Sequence, residues 1–135
     1  YLATFAGVLL YLWQIYIIAL LTVRKEFDIW AKSMIFAFGS LVFALMTGGV
    51  ALLTGAESML HTAVWFFLLG FVSPMITGHL YKIVPFLVWF ERFAPLVGKE
   101  KVPMLHEMYS KKGAAVMFNF TASGVVLGGM GLLFE

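Results

Sequence analysis

The chain has 135 residues, 62% hydrophobic and only 12% charged, with a mean hydropathy of +0.97. Soluble domains of this size lie far from those values, so the composition implies one all-α domain, a polytopic bundle of transmembrane helices. The absence of cysteine excludes a disulfide framework and thiolate-held metal or iron–sulfur sites. The net charge of +2 is spread over cations that form no nucleic-acid-binding patch.

About twenty apolar residues cross a bilayer as a helix, and four runs meet that length: 2–23, 34–54, 59–90 and 114–134. They are continuously apolar, without the alternation of a membrane strand. The first run follows Tyr1, with no initiator methionine or charged leader ahead of it, which gives the expectation of a longer native chain. The connection "RKEFDIWAKS" then leads to the second run, and the short "GAES" to the third.

The third run has 32 residues, about 48 Å of helix against a hydrocarbon core of about 30 Å, so it must tilt, bend or emerge. Pro74 and Pro85 each remove a backbone donor and clash with the preceding turn, which predicts a kink near Pro74 and a break or exit around Pro85. Proline at 74 also frees the carbonyl of Gly70, for which Ser73, Thr77 or a neighbouring helix is the expected partner. Trp89, Phe90, Glu91 and Arg92 read as the interfacial end of this span. The long polar connection "ERFAPLVGKEKVPMLHEMYSKKG" precedes the fourth run, in which Gly124 and Gly128 have the four-residue spacing of close helix contacts.

Arg24, Lys25, Lys32, Arg92, Lys99, Lys101, Lys111 and Lys112 fall in the first and third connections, and Lys82 lies near the same side. The "GAES" connection has no cation, so the positive-inside rule puts 24–33 and 91–113 in the cytoplasm, the orientation of a bacterial inner-membrane protein.

Charged and polar groups inside a span are costly and mark candidate sites. His61 and His79 are eighteen residues apart, about 27 Å along a straight helix, so they cannot share a metal ion. His61 reads either as an interfacial histidine or as a cofactor ligand. His79, deeper in the span, is the candidate for heme, ion, proton or quinone chemistry, against a buried hydrogen bond to another helix. Lys82 can snorkel its ammonium to the interface. Asn119 and the stripe Ser73, Thr77 and Tyr81 are candidates for hydrogen bonds between helices. His106, in the polar connection, reads as a surface histidine. No carboxylate pair lies in a span and there is no glycine-rich phosphate loop, so hydrolytic and nucleotide-dependent enzymes gain no support.

The segment "LLGFVSPMITGHLYKIVP" resembles a late helix of heme-copper oxidase subunit I, in particular the C-family oxidases and nitric oxide reductases. The likeness rests on Leu69-Gly70-Phe71, Gly78 eight residues after Gly70, then Tyr81 and Pro85. It implies a helical membrane protein of respiration or nitric oxide handling, with heme as cofactor and His79 or His61 as its ligand here. The family's heme-ligating histidine pair is replaced by Ala63 and Trp65, which cannot bind iron through nitrogen. The other expectations are a non-catalytic helical subunit or assembly partner of a membrane complex, and a transporter. In each case the partners are the lipid bilayer and other transmembrane helices or subunits, not nucleic acid.

Overall fold

The computed structural model describes residues 2–21 and 28–134, and its described residues are helical and joined by short connections, with no strand among them. Helix α1 spans Leu2–Leu21. Helix α2 spans Ile29–Thr54, starting five residues before the apolar run predicted from 34, so Trp30, Lys32 and Ser33 belong to the helix rather than to a connection. The cause is Asp28, whose carboxylate Oδ1 accepts the Ile29 N–H at 2.8 Å and caps the first turn. Arg24 and Lys25, part of the expected basic connection, lie outside the described residues.

At its far end α2 stops on Gly55, whose φ of +73° only glycine adopts freely, and whose N–H returns to the Ala51 carbonyl. The chain reverses there, and Glu57–Arg92 runs back as one helix of 36 residues. It comprises α3 (Glu57–Trp65), a π-helical turn (Phe66–Val72) and α4 (Ser73–Arg92). The Ser73 N–H reaches Leu68, five residues back, so the turn is widened immediately before Pro74, the residue that has no N–H to continue an ordinary ladder. Thr77 Oγ1 donates to the Ser73 and Pro74 carbonyls, not to that of Gly70.

No break occurs around Pro85. The helix passes through it to Arg92, because one lost hydrogen bond costs less than ending the helix and exposing a whole turn of backbone groups. A connection with two short 3₁₀ turns, Ala94–Leu96 and Leu105–Glu107, leads to α5 (Lys111–Leu133), capped by the Ser110 hydroxyl on the Gly113 N–H.

Three helices, Ile29–Thr54, Glu57–Arg92 and Lys111–Leu133, are long and apolar enough to cross a membrane. Helix α2 packs chiefly on the long helix, which also meets α5. Its buried stripe is Ser33, Ala37, Ser40, Ala44, Thr47 and Ala51 with Ile29, Met34 and Leu41, whereas Ile35, Met46, Leu52 and Leu53 are exposed. Small residues inside and large apolar residues outside are what helices packed in lipid require, since lipid solvates a leucine as well as another helix does. The core is the contact of Ala44 (α2), Phe66 (π turn) and Val125 (α5), flanked by Phe36 and Trp65.

Glycines set the closest approaches. A Cβ at Gly70 would stand 2.7 Å from Ser40 Cβ, and one at Gly78 2.8 Å from Ser33 Cβ, so the two glycines of the sequence motif are where the long helix presses on α2. On α5 the contacts are Gly128 against the Trp65 indole and Gly129 against the Phe66 ring, while Gly124 has open space around it. The expected Gly124–Gly128 pair is therefore not the contact; the adjacent pair Gly128–Gly129 is.

Candidate functional site

The two histidine candidates of the long helix lie at separate places. His61 is exposed one turn from the Gly55 reversal, at the end opposite the basic residues. His79 is half-buried on α4, near the start of α2. Among the described residues no group of three or more His, Asp or Glu side chains stands close enough to hold a metal ion.

Around His79 the geometry is specific. Its Nδ1 lies 2.7 Å from the Met75 carbonyl of its own helix. A carbonyl only accepts, so Nδ1 carries the hydrogen, and in the neutral ring Nε2 presents a lone pair. The ring meets Trp30 of α2 edge-on, with centroids 6.1 Å apart and planes at 88°. On the same indole, 3.7 Å from its ring centroid, sits the ammonium of Lys82. Lys82 is exposed, yet its charge rests against an aromatic face as a cation–π contact rather than reaching freely to the interface. The Trp30 Nε1 is buried without a hydrogen-bond partner among the described residues.

One turn below, the start of α2 is tied to the last connection. Tyr109 donates its hydroxyl to Asp28 Oδ1 at 2.8 Å, and its ring meets Tyr81 at 5.5 Å. Burial first, then the hydrogen bond to Asp28 and that carboxylate's charge, push the Tyr109 hydroxyl up to about 12. Leu80, Tyr81, Val84, Pro85, Val88, Met108 and Tyr109 line an apolar groove of about 270 Å³ here. Trp89 donates its indole N–H to the Pro103 carbonyl at 2.8 Å, so this tryptophan fastens the connection as well as marking the interface.

Among the described residues the remaining candidates make no bond to another helix. Thr77 is spent on its own backbone, and Tyr81 contributes its ring to Tyr109. Asn119 is exposed, and its main-chain carbonyl accepts the Ser123 hydroxyl. A polar link between helices that sequence reasoning passed over is the Trp65 indole N–H, which donates to the Val125 carbonyl of α5 at 2.9 Å. Asp28, Trp30 and Tyr109 were also passed over. Asp28 ahead of an apolar run has the signature of a helix N-cap, whereas the pairing of Tyr109 with it spans 81 residues and leaves no local signal.

The positions that correspond to the heme ligands of the resembling family do not fit a heme. Ala63 is buried, and the indole of Trp65 is bonded to Val125 and lies against Gly128, closing that face onto α5. At His79 the side chain does suit ligation, since a backbone carbonyl holds Nδ1 and orients Nε2. No protein-family model, no curated protein and no solved structure matches this chain.

Proposed function

We propose that the chain is a non-catalytic helical unit of a membrane complex, built to pack against further transmembrane helices. The observation that carries this reading is the Trp65–Val125 bond with Gly128 and Gly129 beneath it: the face on which the resembling oxidases hold heme is used here to lock two helices together. Helix α1 is the fourth span in this reading. Its 20 residues make about 30 Å, the thickness of the hydrocarbon core. The basic connections lie in the cytoplasm and the Gly55 reversal outside. Single cysteines at Lys99 and Glu57, probed with an impermeant thiol reagent in intact cells, test the orientation. Label at 57 with 99 protected is expected, and the reverse pattern overturns it.

The second reading, a redox protein of the heme-copper subunit I type, is favoured by one observation, the carbonyl-anchored His79 with its Nε2 lone pair. Heme bound there would supply one-electron chemistry; the chain's own contribution is to fix the ring tautomer and shield it with Trp30. Reduced-minus-oxidised optical spectra of the protein purified from its native membranes separate the two readings. No heme band, with the fold unchanged in His79→Leu, is expected from a packing unit. A heme band that His79→Leu abolishes establishes the redox reading instead.

A further inference from the structure

Between α2 and α5, at the end where both helices start, lies a groove of about 400 Å³ lined by Lys32, Ile35, Phe36 and Phe118. Phe36 and Phe118 meet edge-on at 6.0 Å and form its floor, and Ile35 and Lys32 are exposed. Lys32 is the charged residue of this lining. Lys111 and Lys112, both exposed, stand in the first turn of α5 beyond the same end. Neither helix carries an acid in its first turn, and Lys32, Lys111 and Lys112 all stand at this end of the two helices. Asp28, the N-cap of α2, bonds to the Ile29 N–H and the Tyr109 hydroxyl and lies outside the described lining of the groove.

We infer that this groove holds an anionic phospholipid, its phosphate beside Lys32 with support from Lys111 and Lys112, and its acyl chain laid along Phe36, Ile35 and Phe118. A further protein helix is a poorer occupant. It would bury the Lys32 ammonium against the aromatic floor unless it brought its own carboxylate to that depth. A phospholipid delivers a negative group at headgroup depth and an apolar chain below it, matching the order of the lining. The inference rests on the membrane embedding of α2 and α5 alone and is independent of whether the protein carries heme.

The test is native mass spectrometry of the whole purified protein in detergent, with phosphatidylglycerol or phosphatidylcholine of identical acyl chains added. The wild type is expected to retain phosphatidylglycerol over phosphatidylcholine. Lys32→Gln should cut that preference about fivefold, the effect of one lysine near a membrane surface. Phe118→Ala should weaken both lipids equally, because it removes chain contact and leaves charge alone. Helical circular dichroism and monodisperse elution verify that each variant is folded, and Lys32 is exposed, so its replacement leaves the core intact. An unchanged preference in Lys32→Gln overturns the proposal. So does a preference that only Lys111→Gln with Lys112→Gln removes, which would assign the lipid to the surface of α5 outside the groove.

Discussion

From Glu57 to Val72 the long helix is gripped by α2 on one side and α5 on the other, with Thr62, Ala63, Phe66 and Gly70 buried. From Ser73 to Arg92 it meets α2 and the connection that follows it, and only Pro74 and Gly78 are buried. The first half is held by shape, through rings set against glycines. The second is held by Gly78 on Ser33 and by separate ties: Lys82 on Trp30, Trp89 on Pro103, Tyr109 on Asp28. Lipid supplies no hydrophobic drive between helices, so close packing stabilises only where small residues let backbones approach. Where that approach is lost, aromatic and polar contacts take over.

The largest effect should come from filling the shape-held half. Gly129→Val pushes against the Phe66 ring and is expected to cost about 3 kcal/mol, whereas Gly124→Val, with nothing near it, should stay within about 0.5 kcal/mol. Detergent-induced unfolding in mixed micelles measures both, and equal losses would break the distinction between the glycines. In the same half, Trp65→Phe keeps most of the ring and deletes the N–H to Val125, for an expected loss of about 1 kcal/mol in the same titration. On the basic half, Lys82→Met removes the cation–π contact and should cost about 0.5 kcal/mol. A cost larger than that of Trp65→Phe would reverse the ranking of the halves.

The last effect is conditional on pH. Tyr109 keeps its proton to about 12 in the folded protein against an ordinary value of 10.0. A raised folded value means that its protonated form is favoured by folding. Its contribution is therefore complete below pH 10 and disappears as pH climbs through about 12. Tyrosinate absorbance of the wild type minus Tyr109→Phe should rise late, near pH 12, and the stability difference between the two proteins should vanish over the same window. A difference spectrum centred at pH 10 would show that the tie to Asp28 does not persist in solution.

The long helix was legible as a span over 59–90 and is found over Glu57–Arg92, because a continuous apolar run admits few other structures in lipid. The start of α2 was placed too late, since Trp30, Lys32 and Ser33 are polar or amphipathic and resemble a connection. Their inclusion follows from the Asp28 cap one residue before them. His79 stood out as a polar group at depth, but its bond to Met75 and its contact with Trp30 were not legible. The second depends on how α2 is rotated against α4. Asn119 illustrates the opposite error, because a polar residue in an apolar helix signals a contact only if it faces one, and this one is exposed.

Composition and run length by themselves determined that three of these helices are long and apolar enough to cross a membrane, where backbone groups must be bonded within their own segment. The positions of Gly70, Gly78 and Pro74 were equally plain in the chain. Only the tertiary structure decided which glycines touch a neighbour, that Trp65 binds Val125, and that the helix survives Pro85. In a uniformly apolar helix, lipid-facing and protein-facing positions have the same chemistry. Rotation and register are then chosen by the fit of side chains from distant parts of the chain, which no local pattern records.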